Sequence, residues 1–130
     1  MIVIDASAVI ELLLDTAAGR RVETRIQAVG ESLHAPHLVD LEIVQVLRRF
    51  CSTGVMTPRR ANEAIEDFQD LRIRRHGHLY LMDRIWSLRH NLTAYDACYV
   101  ALAEDLSAVL LTGDAGIASA HFHSAKVELV

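Results

Sequence analysis

The sequence predicts an α/β fold in which a mostly parallel sheet is covered by helices on both faces. Three observations lead there. Short β-branched apolar runs, MIVI at the N-terminus and AVLLT at 108–112, have the composition and length of buried strands. The segments between them carry apolar residues at helical spacing. Strands that alternate with helices in this way build parallel sheets with short crossovers.

MIVI ends at Asp5 and feeds ASAVIELLL, where Val9, Leu12 and Leu13 recur at helical spacing. TAAGRRVETRIQAV continues as an amphipathic helix ending near Gly30, and SLHAP reads as a short buried strand stopped by Pro36. From Leu38 to about Thr53, Val39, Ile43, Val46, Leu47 and Phe50 fall on one side of a helical wheel, and Gly54 supplies the stop. TPRRANEAIEDFQDLRI restarts helix, with Thr57 as N-cap and Pro58 at the first helical position, so the two helices form an antiparallel pair. RIRRHGH is a short extended piece. Leu79–Arg89 is helical and ends at Asn91, and Thr93 caps a helix that runs to about Asp105. After AVLLT, Asp114 opens a short helix and KVELV forms a last edge strand.

The 130 residues fit one domain, 1–130, with a core large enough to fold without staples. No apolar run approaches the ~20 residues of a membrane span. MIVIDAS lacks the basic region and long apolar core of a secretion signal, so no membrane and a cytoplasmic location are expected. Cys51 and Cys98 sit in helical segments without metal-type spacing and read as small core residues. The formal net charge of −4 argues against indiscriminate nucleic-acid binding. Nine of the thirteen basic residues, all arginine, nevertheless lie between Arg48 and Arg89. They read either as a solvated helical surface or as the border of an anion site.

The carboxylates carry the chemistry. Asp5 and Asp114 each follow a strand and precede a helix, which makes each a natural N-cap. Together they say more, because ligands of open α/β sheets collect beyond the carboxyl ends of the strands. Asp96 shares a helix side with Tyr99, Val100 and Ala103 and therefore faces inward, while Glu104 and Asp105 mark the wet side. It also suits a capping box with Thr93, and one oxygen can serve a cap while the other meets a ligand. Glu42 and Asp40 stand on opposite borders of their helix's apolar side, and periodicity does not choose between them. Carboxylates gathered at one sheet end are most simply neutralised by hard divalent cations, Mg²⁺ or Mn²⁺. Ser7, two residues after Asp5, and Thr112, two before Asp114, are hydroxyls placed to orient a ligand carboxylate or a water from behind, or to cap a turn. With Lys126 as the single lysine, a Schiff-base mechanism lacks its part. The close histidine pairs 34/37, 76/78 and 121/123 have no recognised metal-ligand spacing with cysteine.

Taken in order and at these intervals, MIVIDASAVIELLL, PHLVDLEIVQVLRR, LTAYDACYVALAE and AVLLTGD resemble the PIN-domain family, and within it the VapC-type ribonuclease toxins of toxin–antitoxin pairs. The resemblance covers essentially the whole chain. It implies a single PIN-like domain whose four acidic positions fall on Asp5, Glu42, Asp96 and Asp114, favouring Glu42 over Asp40. It implies an Mg²⁺- or Mn²⁺-dependent endoribonuclease with Asp5, Asp96 and Asp114 on a first metal and Glu42 serving a second metal or the attacking water. In the implied mechanism a metal-activated water attacks phosphorus in line and leaves a 5′-phosphate, without use of the 2′-hydroxyl. The resemblance also implies inhibition by a small cognate VapB-type antitoxin and a homodimer. The turn after Asp114 holds Ala115, Gly116 and Ile117 where some PIN domains carry a fifth acid, so no fifth carboxylate is offered there. The arginines at 48–89 become candidates for RNA or for an acidic antitoxin segment. Apolar positions on the 38–53 and 57–73 helices become candidates for an antitoxin groove, a dimer contact or ordinary core.

Rival readings place aspartates similarly. A receiver domain would pair acids near the first strand and carry a late lysine, and a haloacid-dehalogenase-type phosphatase would want Asp where Ser7 stands. A non-catalytic PIN-like module that keeps partner binding is the stronger rival, and retention of all four carboxylates speaks against it.

Overall fold

Ile2, Val3 and Ile4 are all fully buried. Consecutive strand side chains point to opposite faces, so the sheet is covered on both sides where they sit. They form β1 (Ile2–Ile4), the centre of a five-stranded sheet with β2 (Leu33–Pro36), β3 (Ile73–His76), β4 (Val109–Thr112) and β5 (Lys126–Leu129). The order is β3-β2-β1-β4-β5, and every neighbouring pair is parallel. The computed structural model describes residues 1–130. No helix is long and apolar enough to cross a membrane.

The connecting helices are α1 (Ala6–Leu13), α2 (Ala17–Ile26), α3 (Leu38–Ser52), α4 (Pro58–Asp70), α5 (Met82–Ser87), α6 (Ala94–Asp105) and α7 (Ala115–Ala118), with a 3-10 turn at Leu79–Leu81. Residues 97–103 of α6 are buried all round, as in a helix sandwiched by other elements. It packs on β1, β2 and β4. α3 and α4 pack together, and Thr57 caps α4 by accepting from Arg60 N at 3.2 Å.

Three boundaries differ from the sequence expectation. α2 stops at Ile26, about a turn before Gly30, because 27–30 are exposed and Gly30 turns at φ +85°. α4 stops at Asp70, since Leu71 is extended and Ile73–His76 pair with β2 instead of prolonging the helix. The helix expected over Leu79–Arg89 splits into the 3-10 turn and the short α5.

The chain fills the sheet from β1 outward to β3, then returns to the other side of β1 for β4 and β5. The order therefore reverses between β1 and β4. Beyond the carboxyl ends of two such strands lies the crevice where α/β sheets receive ligands. Asp5 immediately follows β1, and Asp114 lies two residues past β4.

Candidate active site

Asp5 leaves β1 in extended conformation and becomes the N-cap of α1, accepting from Ala8 N at 2.9 Å. It is buried, and its other partners come from both strand ends. Ser7 Oγ donates to Oδ1 at 2.7 Å, and Thr112 Oγ1 donates to Oδ2. A hydroxyl has one proton to give, so each of these oxygens is left as an acceptor. Gly113 N fills Ser7 Oγ at 2.8 Å, and Asp114 N fills Thr112 Oγ1 at 2.9 Å. The turns after β1 and β4 are thereby laced together around one carboxylate. Three of its roughly four lone-pair positions are taken, and the open one is on Oδ2.

Glu42 comes from the second turn of α3. Tyr99, buried on α6, donates its hydroxyl to Glu42 Oε2 at 2.5 Å. Burial and then the adjacent Glu42 push the Tyr99 hydroxyl far above its ordinary value, so it remains a neutral donor. Asp40, the alternative on the same helix, is taken by Arg75, whose Nε and Nη2 reach Oδ1 at 3.0 and 2.9 Å.

Asp96 lies in the first turn of α6, where Thr93 Oγ1 accepts from Asp96 N at 3.2 Å. The return bond of a capping box, from the Thr93 amide to the Asp96 carboxylate, is not formed. Asp114 is exposed and caps α7 through Gly116 N at 2.7 Å. The short helix therefore uses Oδ1 only.

Burial raises the pKa of Asp5, Glu42 and Asp96 above the usual carboxylate range. Hydrogen bonds from Ser7, Thr112 and Ala8 to Asp5, and from Tyr99 to Glu42, oppose the rise. The neighbouring acids add to it: Asp96 acts on Asp5, Asp5 and Asp96 act on Glu42, and Asp114 acts on Asp96. The four sequence-predicted acids thus share one electrostatic neighbourhood with Asp96 at its hub and Asp114 at its outer edge. None of the seven ion pairs of the protein includes any of them.

The donor set is carboxylate oxygens backed by hydroxyls, which suits a hard divalent cation. No three Asp, Glu, His or Cys side chains close tightly enough to enclose an ion as they stand. A cluster of this sign repels other anions and attracts cations.

Two contributors escaped the sequence reading. Tyr99 was legible as a core residue three positions after Asp96, but its hydroxyl contact spans 57 residues. The Gly113 amide has no local signature at all. Four of the nine arginines at 48–89 are engaged within the fold: Arg75 holds Asp40, Arg84 holds Glu104, Arg60 reaches the Leu13 carbonyl, and Arg89 stacks on Trp86. His34 pairs across strands with His76 rather than with its sequence neighbour His37, His34 Nδ1 and His76 Nε2 standing 2.8 Å apart.

The model of the PIN domain matches residues 2–122. Ribonuclease VapC9 of Mycobacterium tuberculosis is 41% identical over 114 residues, covering 88% of this chain and 86% of its own. Ribonuclease VapC12 of the same organism is 38% identical over 130 residues, covering 100% of this chain and 99% of its own. Among solved structures, M. tuberculosis VapC20, described as a sarcin–ricin loop cleaving toxin, superposes with a TM-score of 0.69 over 97% of this chain and 99% of that one. Its sequence identity is 17%, so the likeness speaks to the fold.

Proposed function

Because the chain belongs to the PIN-domain family, we propose that it is a VapC-type endoribonuclease, the toxin of a toxin–antitoxin pair, hydrolysing RNA with Mg²⁺ or Mn²⁺. The observation that carries the metal-dependent part is the charge at the switch point. Burial and mutual repulsion raise three carboxylates there, and no cation of the protein answers them. Asp5, Asp96 and Asp114 would hold the cation, with Glu42 beside them. The bound ion would supply Lewis acidity toward the phosphate and make water a better nucleophile.

The chain's own groups divide the remaining work. Ser7, Thr112 and the Ala8 amide fix the Asp5 carboxylate, so it meets a ligand without having to order itself first. Tyr99 holds Glu42 Oε2 and leaves Oε1 without a protein donor. A carboxylate raised by burial is suited to take a proton from water, and Oε1 is the atom assigned to receive it. Asp114, exposed at the mouth, and the Asp96 carboxylate complete the acidic floor.

A VapB-type antitoxin as partner belongs to this proposal through the resemblance to VapC-type toxins. A homodimer and a cytoplasmic location belong to it as well. Calorimetric titration of the purified chain with Mn²⁺ tests the foundation: saturable binding that Asp96→Asn abolishes is expected. A wild-type protein with no Mn²⁺ affinity would remove the enzymatic reading and leave a partner-binding module.

A further inference from the structure

Glu42 is also one wall of an open groove of about 490 Å³ between the first half of α3 and the start of α6, lined by Leu38, Leu41, Gln45, Val46 and Tyr95. The groove is therefore continuous with the acidic site. Tyr95 precedes Asp96 in the chain, is 63% exposed, and its hydroxyl makes no hydrogen bond within the protein. Leu41 beside it is 75% exposed. An aromatic face and a bare leucine at the rim of a charged site leave apolar surface in water unless a ligand or partner covers it.

The chemistry of the walls narrows the occupant. No lysine or arginine lines the groove, and its only charge is Glu42, so it does not suit a phosphate. Beside the Tyr95 hydroxyl, its polar group is the Gln45 amide, whose oxygen already accepts from Arg48 Nε at 3.1 Å while its NH₂ stays available. A ring to stack on with an amide at its edge suits a nucleobase. Arg48, exposed, one turn beyond Gln45 on α3 and without an acid partner, stands on the side of Gln45 away from Glu42, where it can meet a following phosphate.

We propose that this groove is a nucleobase subsite: the base next to the scissile phosphate stacks on Tyr95, with the Gln45 amide at its edge. The inference rests on the nuclease reading and specifies which part of the substrate that site holds. It makes Tyr95 a substrate-binding residue that distinguishes single-stranded RNA from paired RNA, because only an unpaired base can turn into the groove.

The test is fluorescence anisotropy with a labelled, short, random-sequence single-stranded RNA pool and a matching abasic pool, with Ca²⁺ in place of Mg²⁺ to limit cleavage. Tyr95→Ala and Tyr95→Leu should each weaken binding of the base-bearing pool by about tenfold, as expected for one stacked base. Tyr95→Phe should stay within about twofold, and the abasic pool should bind all four proteins alike. Tyr95→Ala binding the base-bearing pool as tightly as wild type overturns the subsite while leaving the nuclease intact. So does an equal loss on both pools, or a loss of antitoxin affinity with RNA affinity kept, which would give the groove to a protein partner. A wild type that binds neither pool overturns the subsite together with the nuclease reading.

Discussion

Thr112→Val removes a hydroxyl while keeping the shape of a fully buried side chain. Two bonds go with it: the donation to Asp5 Oδ2 and the acceptance from Asp114 N at 2.9 Å. A hydrogen bond to an ionised group contributes about 1.5–3 kcal/mol. The orphaned Asp114 amide adds little, because Asp114 is exposed and water reaches it. The expected loss is therefore about 2–3 kcal/mol. With an unfolding entropy of about 2.1 cal/mol/K per residue, a 130-residue chain has about 0.27 kcal/mol/K, and Tm falls by roughly 7–11 °C. The loss should depend on pH with a definite sign. Asp5 has a folded pKa above its ordinary 3.8, and the Thr112 bond is one of the groups holding it down. Removing that bond raises the folded value further. A raised carboxylate withdraws stability as pH climbs from the ordinary value through the folded one, so the deficit grows over that window and is smallest in acid. Urea melts in EDTA at several pH values measure it. A deficit under about 0.5 kcal/mol, or one equal at acid and neutral pH, would refute the lacing of the two strand ends around an ionised Asp5.

Asp96→Asn should raise Tm at neutral pH in EDTA and leave it unchanged well below the ordinary aspartate value of 3.8, because Asp96 is raised in the fold and its ionised form opposes folding. Thermal melts against pH read this, and a variant less stable than wild type at neutral pH would contradict it. Mn²⁺ should raise the wild-type Tm, by about 2.7 kcal/mol of stability at a hundredfold excess over Kd, and leave Asp96→Asn unmoved. Glu104, held down to about 2 chiefly by Arg84, should lose its stabilising contribution as pH falls from 4.5 toward 2. Glu104→Gln should cost about 1–2 kcal/mol at neutral pH after discounting the partly exposed arginine, and nothing below pH 2. At Gly19 a Cβ would stand 2.0 Å from the Glu11 carbonyl oxygen, so Gly19→Ala should destabilise by about 1–3 kcal/mol by forcing α2 off α1; an unchanged urea midpoint would show that the helices yield freely.

The elements legible in the sequence were those whose fate is decided locally. MIVI and AVLLT are continuous apolar runs, and a strand buried on both faces needs nothing more. The caps at Thr57 and Thr93 were likewise announced by residue type. Boundaries failed where a distant partner decided. The helix read as far as Ile73 stops at Asp70, because the extended piece read at 72–78 is claimed by β2 as β3, and α2 ends at Ile26, ahead of the exposed 27–30 and the positive-φ turn at Gly30. The site divides in the same way. Asp5 and Asp114 stood out as acids after strands, and Asp96 as an acid on an apolar helix face. Helical periodicity left Asp40 and Glu42 equivalent, and contacts 35 and 57 residues away separate them, Arg75 taking the first and Tyr99 the second. The bonds that tie Ser7 to Gly113 and Thr112 to Asp5 span more than a hundred residues and leave no trace in any local pattern.

We propose that Asp5, Glu42, Asp96 and Asp114 form a metal-dependent ribonuclease site. Its most direct test is cleavage of a labelled mixed RNA pool by antitoxin-free protein with Mg²⁺ or Mn²⁺, beside an EDTA control and Asp96→Asn. Cutting by the wild type that leaves 5′-phosphate ends and is lost in both controls is the expected result. Cutting that survives EDTA or Asp96→Asn, or a wild type that binds metal and cuts no RNA, would contradict it.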